Sequence, residues 1–395
     1  MMILELEKRK SIDECFAKHV FRVASIFCLN FHDRGPLRKI SLLISSILFL
    51  IGIYTVFYNI KITFSYHHDF SELSAQLLIV LWAIQSLISV YFLIQWQVNA
   101  DFIHFRNMLE ECQGFRGLKS ARGREMMKTT NALFYLHMVM ICSITFAFAL
   151  KYHIEPSHSV FAEKQSYMFY YQELRPVYTL TTTYLYLIWN MTIFVLTLYT
   201  NATYLEVKYF NEQLEQFDGS IDELACQQLI KYLETYSNLC NVIRKLDVIF
   251  RLYAFIMISI TVPSMIFSLM MMNHHIHNLL DLVLCIPTLA MCAFSFFSVT
   301  IAPARLHDEI SKSKSCICQN KSIWFPYRKE VYLVANTLTS HLEQFDLGIS
   351  VWGFAILSRP LILGTLSATA MVLSLLTELA PQTDLLLLTT NITSQ

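Results

Sequence analysis

Arg359 is the one Lys, Arg, Asp or Glu that falls well inside an apolar stretch of this sequence. A charge at membrane depth is a functional hypothesis by default, because hydrocarbon offers it no partner. If its stretch ends outside at Glu378, 19 residues of helix separate the two, roughly 28 Å. Arg359 then lies near the inner interface, where it either snorkels to lipid phosphate or couples a conformational change. Pro360 beside it favours a bend or break. Other chemistry is sparse. His137 is alone in an apolar run, and His153 and His158 have no partnered nucleophile. His274, His275 and His277 cluster in a short turn, which reads either as a solvated polar loop or as a metal- or pH-responsive one. Cys316-x-Cys318 has no His or Cys pair at zinc-ligand spacing nearby. With 9 Gly in 395 residues there is no phosphate-cradling loop. The expectation is no catalytic set, no cofactor, no metal, and a protein that is not an enzyme.

What positions these residues is a set of membrane helices. The chain is 55% hydrophobic and 15% charged, against about 25% charged in soluble domains. Net charge is zero without a long basic run, which argues against nucleic acid as a partner. Seven stretches are long enough to span: 40–60, 73–96, 130–150, 177–203, 252–272, 282–301 and 348–376. The connecting segments carry 24 Lys and Arg on one side and 4 on the other, so the N-terminus is cytoplasmic and the C-terminus outside. None of the 10 cysteines falls in an outer loop, so no extracellular disulfide is expected. Of the sequons at Asn190, Asn201, Asn320 and Asn391, only Asn391 lies outside. The resulting class is all-α and polytopic. A cytoplasmic arm (1–39) precedes six spans with their loops (40–303), then come cytoplasmic anchor helices (304–346), a last span (347–379) and an extracellular tail (380–395).

The cytoplasmic bulk reads as helical. The fourth span runs on through Leu205, Phe210 and Leu214 until Asp218-Gly219-Ser220 breaks it. A capping box from Ser220 to Glu223 opens the next helix, whose seam (Cys226, Leu229, Leu233, Tyr236, Cys240, Ile243) flows into the fifth span. The sixth span extends past Pro303. A further helix over 327–345 carries Tyr327, Val331, Val334, Leu338, His341 and Phe345 at alternating steps of 4 and 3, a packing seam. That seam closes either a bundle within one subunit or a contact between subunits. Aromatics gather towards the outer halves of the middle spans: Trp82, Phe146 and Phe148, Tyr178, Tyr184, Tyr186 and Trp189, with Tyr167, Phe169, Tyr170 and Tyr171 in the second outer loop. They form either an interfacial belt or a small-molecule pocket, for which Trp82, Phe146, Tyr178, Tyr184 and Trp189 are the candidates.

Seven spans with an inside N-terminus, a cytoplasmic helix before the last span, and Gly353-Phe354 followed by Arg359 are similar to the gustatory receptor family of the insect chemoreceptor superfamily. That family typically shows Gly-Phe-Phe and then an Arg six residues after the Gly. Gly353, Phe354 and Arg359 match at that spacing; the family's later Thr-Tyr is absent, and Glu378-Leu379 replaces its Gln-Phe, as in a divergent member. The resemblance implies a tetrameric cation channel of related or identical subunits. A tastant-like small molecule would open it to monovalent and divalent cations, in the plasma membrane of a sensory neuron amid its lipid. It also implies that the last span lines the pore, and that Gly353, Phe354 and Arg359 couple or interface. Leu375 and Glu378 share one helix face with Met371 a turn below, so an apolar ring would stand beneath a ring of carboxylates. The alternative is a seven-span G-protein-coupled chemosensory receptor, against which stand the inside N-terminus and the missing Asp-Arg-Tyr and Asn-Pro-x-x-Tyr motifs.

Overall fold

The computed structural model describes residue 23 and residues 36–65, 70–154, 175–218, 222–275, 279–343 and 346–393. Cys15, Cys28, His158, His277, Ser220, Phe345, the aromatics at 167–171 and most of the N-terminal arm lie outside the described residues.

Apolar run length dictates the architecture, and seven helices are long and apolar enough to cross a membrane. The first two are α1 (Pro36–Ser65) and α2 (Phe70–Val98). Two short helices follow, α3 (Asp101–Gln113) and α4 (Arg116–Lys119), then α5 (Ala121–Ile154) and α6 (Arg175–Glu215). Next come α7 (Asp222–His275) and α8 (Leu279–Gln319). The short α9 (Lys321–Trp324) and α10 (Lys329–Leu342) lead to a hairpin of β1 (Ser350–Val351) and β2 (Ala355–Ile356). The last helix is α11 (Arg359–Thr393). At 1.5 Å per residue the 54 residues of α7 run about 80 Å, from the seam expected on the cytoplasmic side through the candidate fifth span. The seam and the fifth span are thus one helix, as expected. α8 likewise continues past Pro303 to Gln319.

α6 is the central helix, packed against α8, α2 and α5. It buries Trp189, Phe194, Tyr199 and Phe210. Its threonines stay inside because their hydroxyls donate to carbonyls one turn back: Thr192 to Ile188 (2.8 Å), Thr200 to Leu196 (2.8 Å) and Thr203 to Tyr199 (3.0 Å). No polar hydrogen of those groups then needs water in hydrocarbon. Beyond the apolar part of α6, buried Asn211 locks it to α8. Its Nδ2 donates to the Glu309 carbonyl (2.8 Å) and carboxylate (2.9 Å), and Ser313 Oγ donates to its Oδ1 (2.6 Å).

The structure differs from the sequence expectation at three places. Segment 97–129, expected as a loop, holds α3 and α4, and α4 presses on α6 so closely that a Cβ at Gly117 would stand 2.2 Å from the Leu205 carbonyl oxygen. Only glycine permits that approach. The last span, expected from 348, starts at Arg359. Trp352 (φ 52°) and Gly353 (φ 80°) are left-handed, which ends any helix there and turns the chain into the hairpin. Pro360 consequently sits in the first turn of α11, where its missing N–H costs nothing. Finally, the segment expected as an extracellular tail is helical through Thr393; no glycine follows Gly364, and the leucines at 385–388 are strong helix formers.

Candidate functional site

The hairpin is the joint between the bundle and the last helix, and α7 holds it. Asp247 on α7 accepts from the Ser350 backbone N–H (2.6 Å) and from its hydroxyl (2.7 Å). Ser350 Oγ in turn accepts from Gly353 N–H (3.1 Å), which pins the turn. One turn along α7, the Trp352 N–H donates to the Arg251 carbonyl (3.4 Å), and the Trp352 ring meets Phe255 at 5.1 Å. Phe354 projects outward, 82% exposed, beside Trp352. Gly353 and Phe354 of the sequence motif are therefore the tip of this hairpin. Arg359 belongs to the same joint: it opens α11 instead of lying inside it, and its Nε pairs with Asp308 of α8 at 2.5 Å.

α11 stands away from the bundle. Among the described side chains of 359–376, Thr369 alone is buried. One face, rising at steps of 3 and 4, presents Gly364, Ser367, Met371, Leu375 and Glu378, all exposed. The order along it is small and polar, then two apolar rings' worth of side chain, then a carboxylate. If copies surround an axis, such a face closes by dewetting at Met371 and Leu375 and concentrates cations at Glu378.

Two of the five pocket candidates meet. Trp82 of α2 and Trp189 of α6 are buried with ring centroids 6.3 Å apart, and Tyr186 stands edge-on to Trp82 at 5.7 Å. Both indole N–H groups lack a hydrogen-bond partner. The buried Cys292 thiol of α8 lies beside Trp82 but is a weak acceptor. The Trp189 indole N–H is thus a buried donor without a partner, and that of Trp82 reaches only the weak thiol acceptor. Tyr184 and Tyr178 are half-buried, and Phe146 is 69% exposed. A second polar pair lies on the neighbouring face of α6, where His137 Nδ1 and Asn190 Oδ1 bond across from α5.

The anchor seam divides. Val331 and Leu338 are buried against α7 and α8 of the same chain, together with Ala335 and Leu342. Val334 is partly buried, whereas Tyr327 and His341 are exposed and Tyr327 precedes the helix. The outer face carries two residues the periodicity did not single out: Tyr332, 5.7 Å from Trp324 and 5.4 Å from Tyr327, and exposed Leu333. Elsewhere, Cys316 is buried beside Glu215 while Cys318 is exposed, so the pair does not share a site. Among the described residues no group of three metal-ligating side chains assembles. Burial and the nearby Glu206 and Cys240 push the Cys112 thiol of α3 up to about 12.

The sequence reading missed Asp247, Ser350 and Gly117. Nothing in their local pattern marks them, because each acts on a segment far along the chain.

No family model and no curated protein sequence matches this chain. Solved structures do match by shape. The insect olfactory receptor OR5 from Machilis hrabei in complex with eugenol superposes with a TM-score of 0.67 at 10% identity, over 92% of this chain and 98% of that one. A second structure of the same receptor superposes with a TM-score of 0.66, again at 10% identity, over 94% and 98%. Over more than nine-tenths of its length this protein has the fold of an insect olfactory receptor.

Proposed function

We propose that the protein is a chemoreceptor channel subunit of gustatory-receptor type. In this reading a small molecule binds between α2 and α6 and opens a cation pore lined by α11 at the axis of a homo- or heterotetramer in the plasma membrane. One observation carries the reading. Among the described side chains of α11, over a stretch long enough to cross the bilayer, Thr369 alone is buried, and one face mixes Gly364, Ser367 and Glu378 with apolar side chains. Lipid alone is a poor environment for that carboxylate and hydroxyl, whereas a water-filled axis between copies suits both. The ligand reading rests on the buried aromatic cluster of Trp82, Tyr186 and Trp189 with its weakly satisfied indole donors, and on a fold shared with a receptor whose solved complex contains eugenol. Arg359, Gly353 and Phe354 couple the two sites in this reading, and the exposed aromatics around Tyr332 meet the neighbouring subunit.

The test is current from purified protein reconstituted in liposomes, where no G protein is present. Ligand-evoked cation current, sharply reduced in Glu378→Lys and leaking without ligand in Leu375→Ser, is the expected result. A silent membrane with ligand-dependent G-protein activation in cells would establish the coupled-receptor alternative instead.

A further inference from the structure

Tyr204 sits on α6 just where the apolar run 177–203 ends, at the level of the inner membrane boundary. Two cations from different helices converge on its ring. The Arg305 guanidinium of α8 lies 4.7 Å from the ring centroid. Lys208 Nζ lies 5.7 Å from it and donates to the Tyr204 hydroxyl at 3.4 Å. Arg305 Nη2 also contacts Met126 Sδ at 3.6 Å, so α5 forms the third wall. Neither cation forms an ion pair among the described residues. The nearby acids have other partners: Glu212 faces Arg122 at 3.6 Å, Asp308 pairs with Arg359, Glu309 accepts from Asn211, and Glu215 pairs with Lys312 while also attracting Lys208. Glu125, next to Met126, is exposed. Two like charges on one ring repel each other, and a bridging anion removes that cost.

The surface above this junction says which anion. Phe297, Ile301 and Arg305 follow one another at steps of four on α8, so they share a face. Phe297 and Ile301 are exposed, and so are Leu133 and Leu136 on α5. An exposed apolar track from the hydrocarbon thus runs down to the basic pair. Exposed Arg124 and Lys128 add charge in the first turns of α5. Basic pockets between membrane helices on the cytoplasmic side recognise anionic lipid headgroups. We propose that the junction of α5, α6 and α8 is a binding site for an anionic phospholipid of the inner leaflet, its phosphate held by Arg305 and Lys208 and its acyl chains along the Phe297–Ile301 face.

Nanodiscs of phosphatidylcholine doped with phosphatidylinositol bisphosphate, followed by native mass spectrometry of the released protein, count the lipid retained. Wild-type protein is expected to keep the anionic lipid selectively. Arg305→Gln with Lys208→Gln should lower its apparent affinity about 30-fold, the loss of two juxtamembrane cations. Glu212→Gln, which removes the carboxylate one turn from Lys208, should raise retention, and misfolding cannot produce a gain. Soluble inositol trisphosphate, which lacks acyl chains, should compete poorly. Wild-type retention in the folded double variant would overturn the proposal, as would unchanged retention in Glu212→Gln. Full displacement by the soluble headgroup at matched concentration would make the occupant a free phosphate compound and overturn it as well.

Discussion

Asp247 is where the gating claim is most exposed to test. Replacing it by Ala deprives Ser350 of a backbone bond at 2.6 Å and a hydroxyl bond at 2.7 Å, both to a carboxylate. Such bonds contribute about 1.5–3 kcal/mol each, and partial exposure of Asp247 places them at the low end, about 3 kcal/mol together. That is roughly a 150-fold change in whatever equilibrium the hairpin transmits. Ser350→Ala removes the hydroxyl bond and the one to Gly353 N–H but keeps the backbone bond. The two changes therefore overlap in one hydrogen bond, and a double-mutant cycle should show coupling of about 1–1.5 kcal/mol. The cycle is measured twice, by unfolding in detergent and by ligand-evoked current in liposomes. Both variants should bind ligand normally while current falls, because the Trp82 cage is not touched. Additivity within about 0.3–0.5 kcal/mol, or intact current in Asp247→Ala, would mean that the hairpin does not transmit movement of α7 to α11.

Three further outcomes follow from the same geometry. Trp82→Phe keeps the ring and deletes the indole donor, so a ligand with an acceptor oxygen should need about tenfold more concentration for half-maximal current, while a hydrocarbon analogue is unaffected. Leu338→Asp places an unpaired charge in a site with no exposed surface and should unfold the cytoplasmic bundle, whereas Leu333→Asp on the outer face should leave folded monomers that fail to tetramerise on a native gel. Maleimide at neutral pH should label exposed Cys318 and leave Cys112 untouched, because burial holds that thiol protonated; mass spectrometry of the peptides reads both.

The spans were legible because twenty apolar residues have one solution in a bilayer, and the long helices were legible because their seams ran unbroken into those spans. The register of α10 was half legible. A 4-3 spacing marks a stripe, but Val331 and Leu338 occur both in the expected seam and in the buried stripe with Ala335 and Leu342, and alanine carries too little hydrophobicity to decide between them. Composition hid the hairpin entirely. Residues 347–358 are as apolar as a span, and only the handedness demanded at Trp352 and Gly353 separates them from a helix. Of the candidate pocket, Trp82 and Trp189 came together because both face inward on adjacent helices; Phe146 carries the same chemistry on an exposed surface.

Arg359 illustrates how position changes the meaning of a charge. Read inside a span it demands a function; at the start of α11 it faces the positive end of the helix dipole, an unfavourable place for a cation. Its side chain is 73% exposed, so the pair with Asp308 is screened and contributes at most about 1 kcal/mol. Asp308 is in the opposite position. Its carboxylate, 37% exposed and held on α8, reaches the side chain of the residue that opens α11. The acid on the bundle thus offsets the charge that the dipole disfavours there. Together they tie α11 to α8 at the point where the Asp247–Ser350 bonds tie the preceding hairpin to α7. The last helix hangs from two polar joints on two different helices, so in the proposed channel a relative movement of α7 and α8 would tilt the face that carries Leu375 and Glu378.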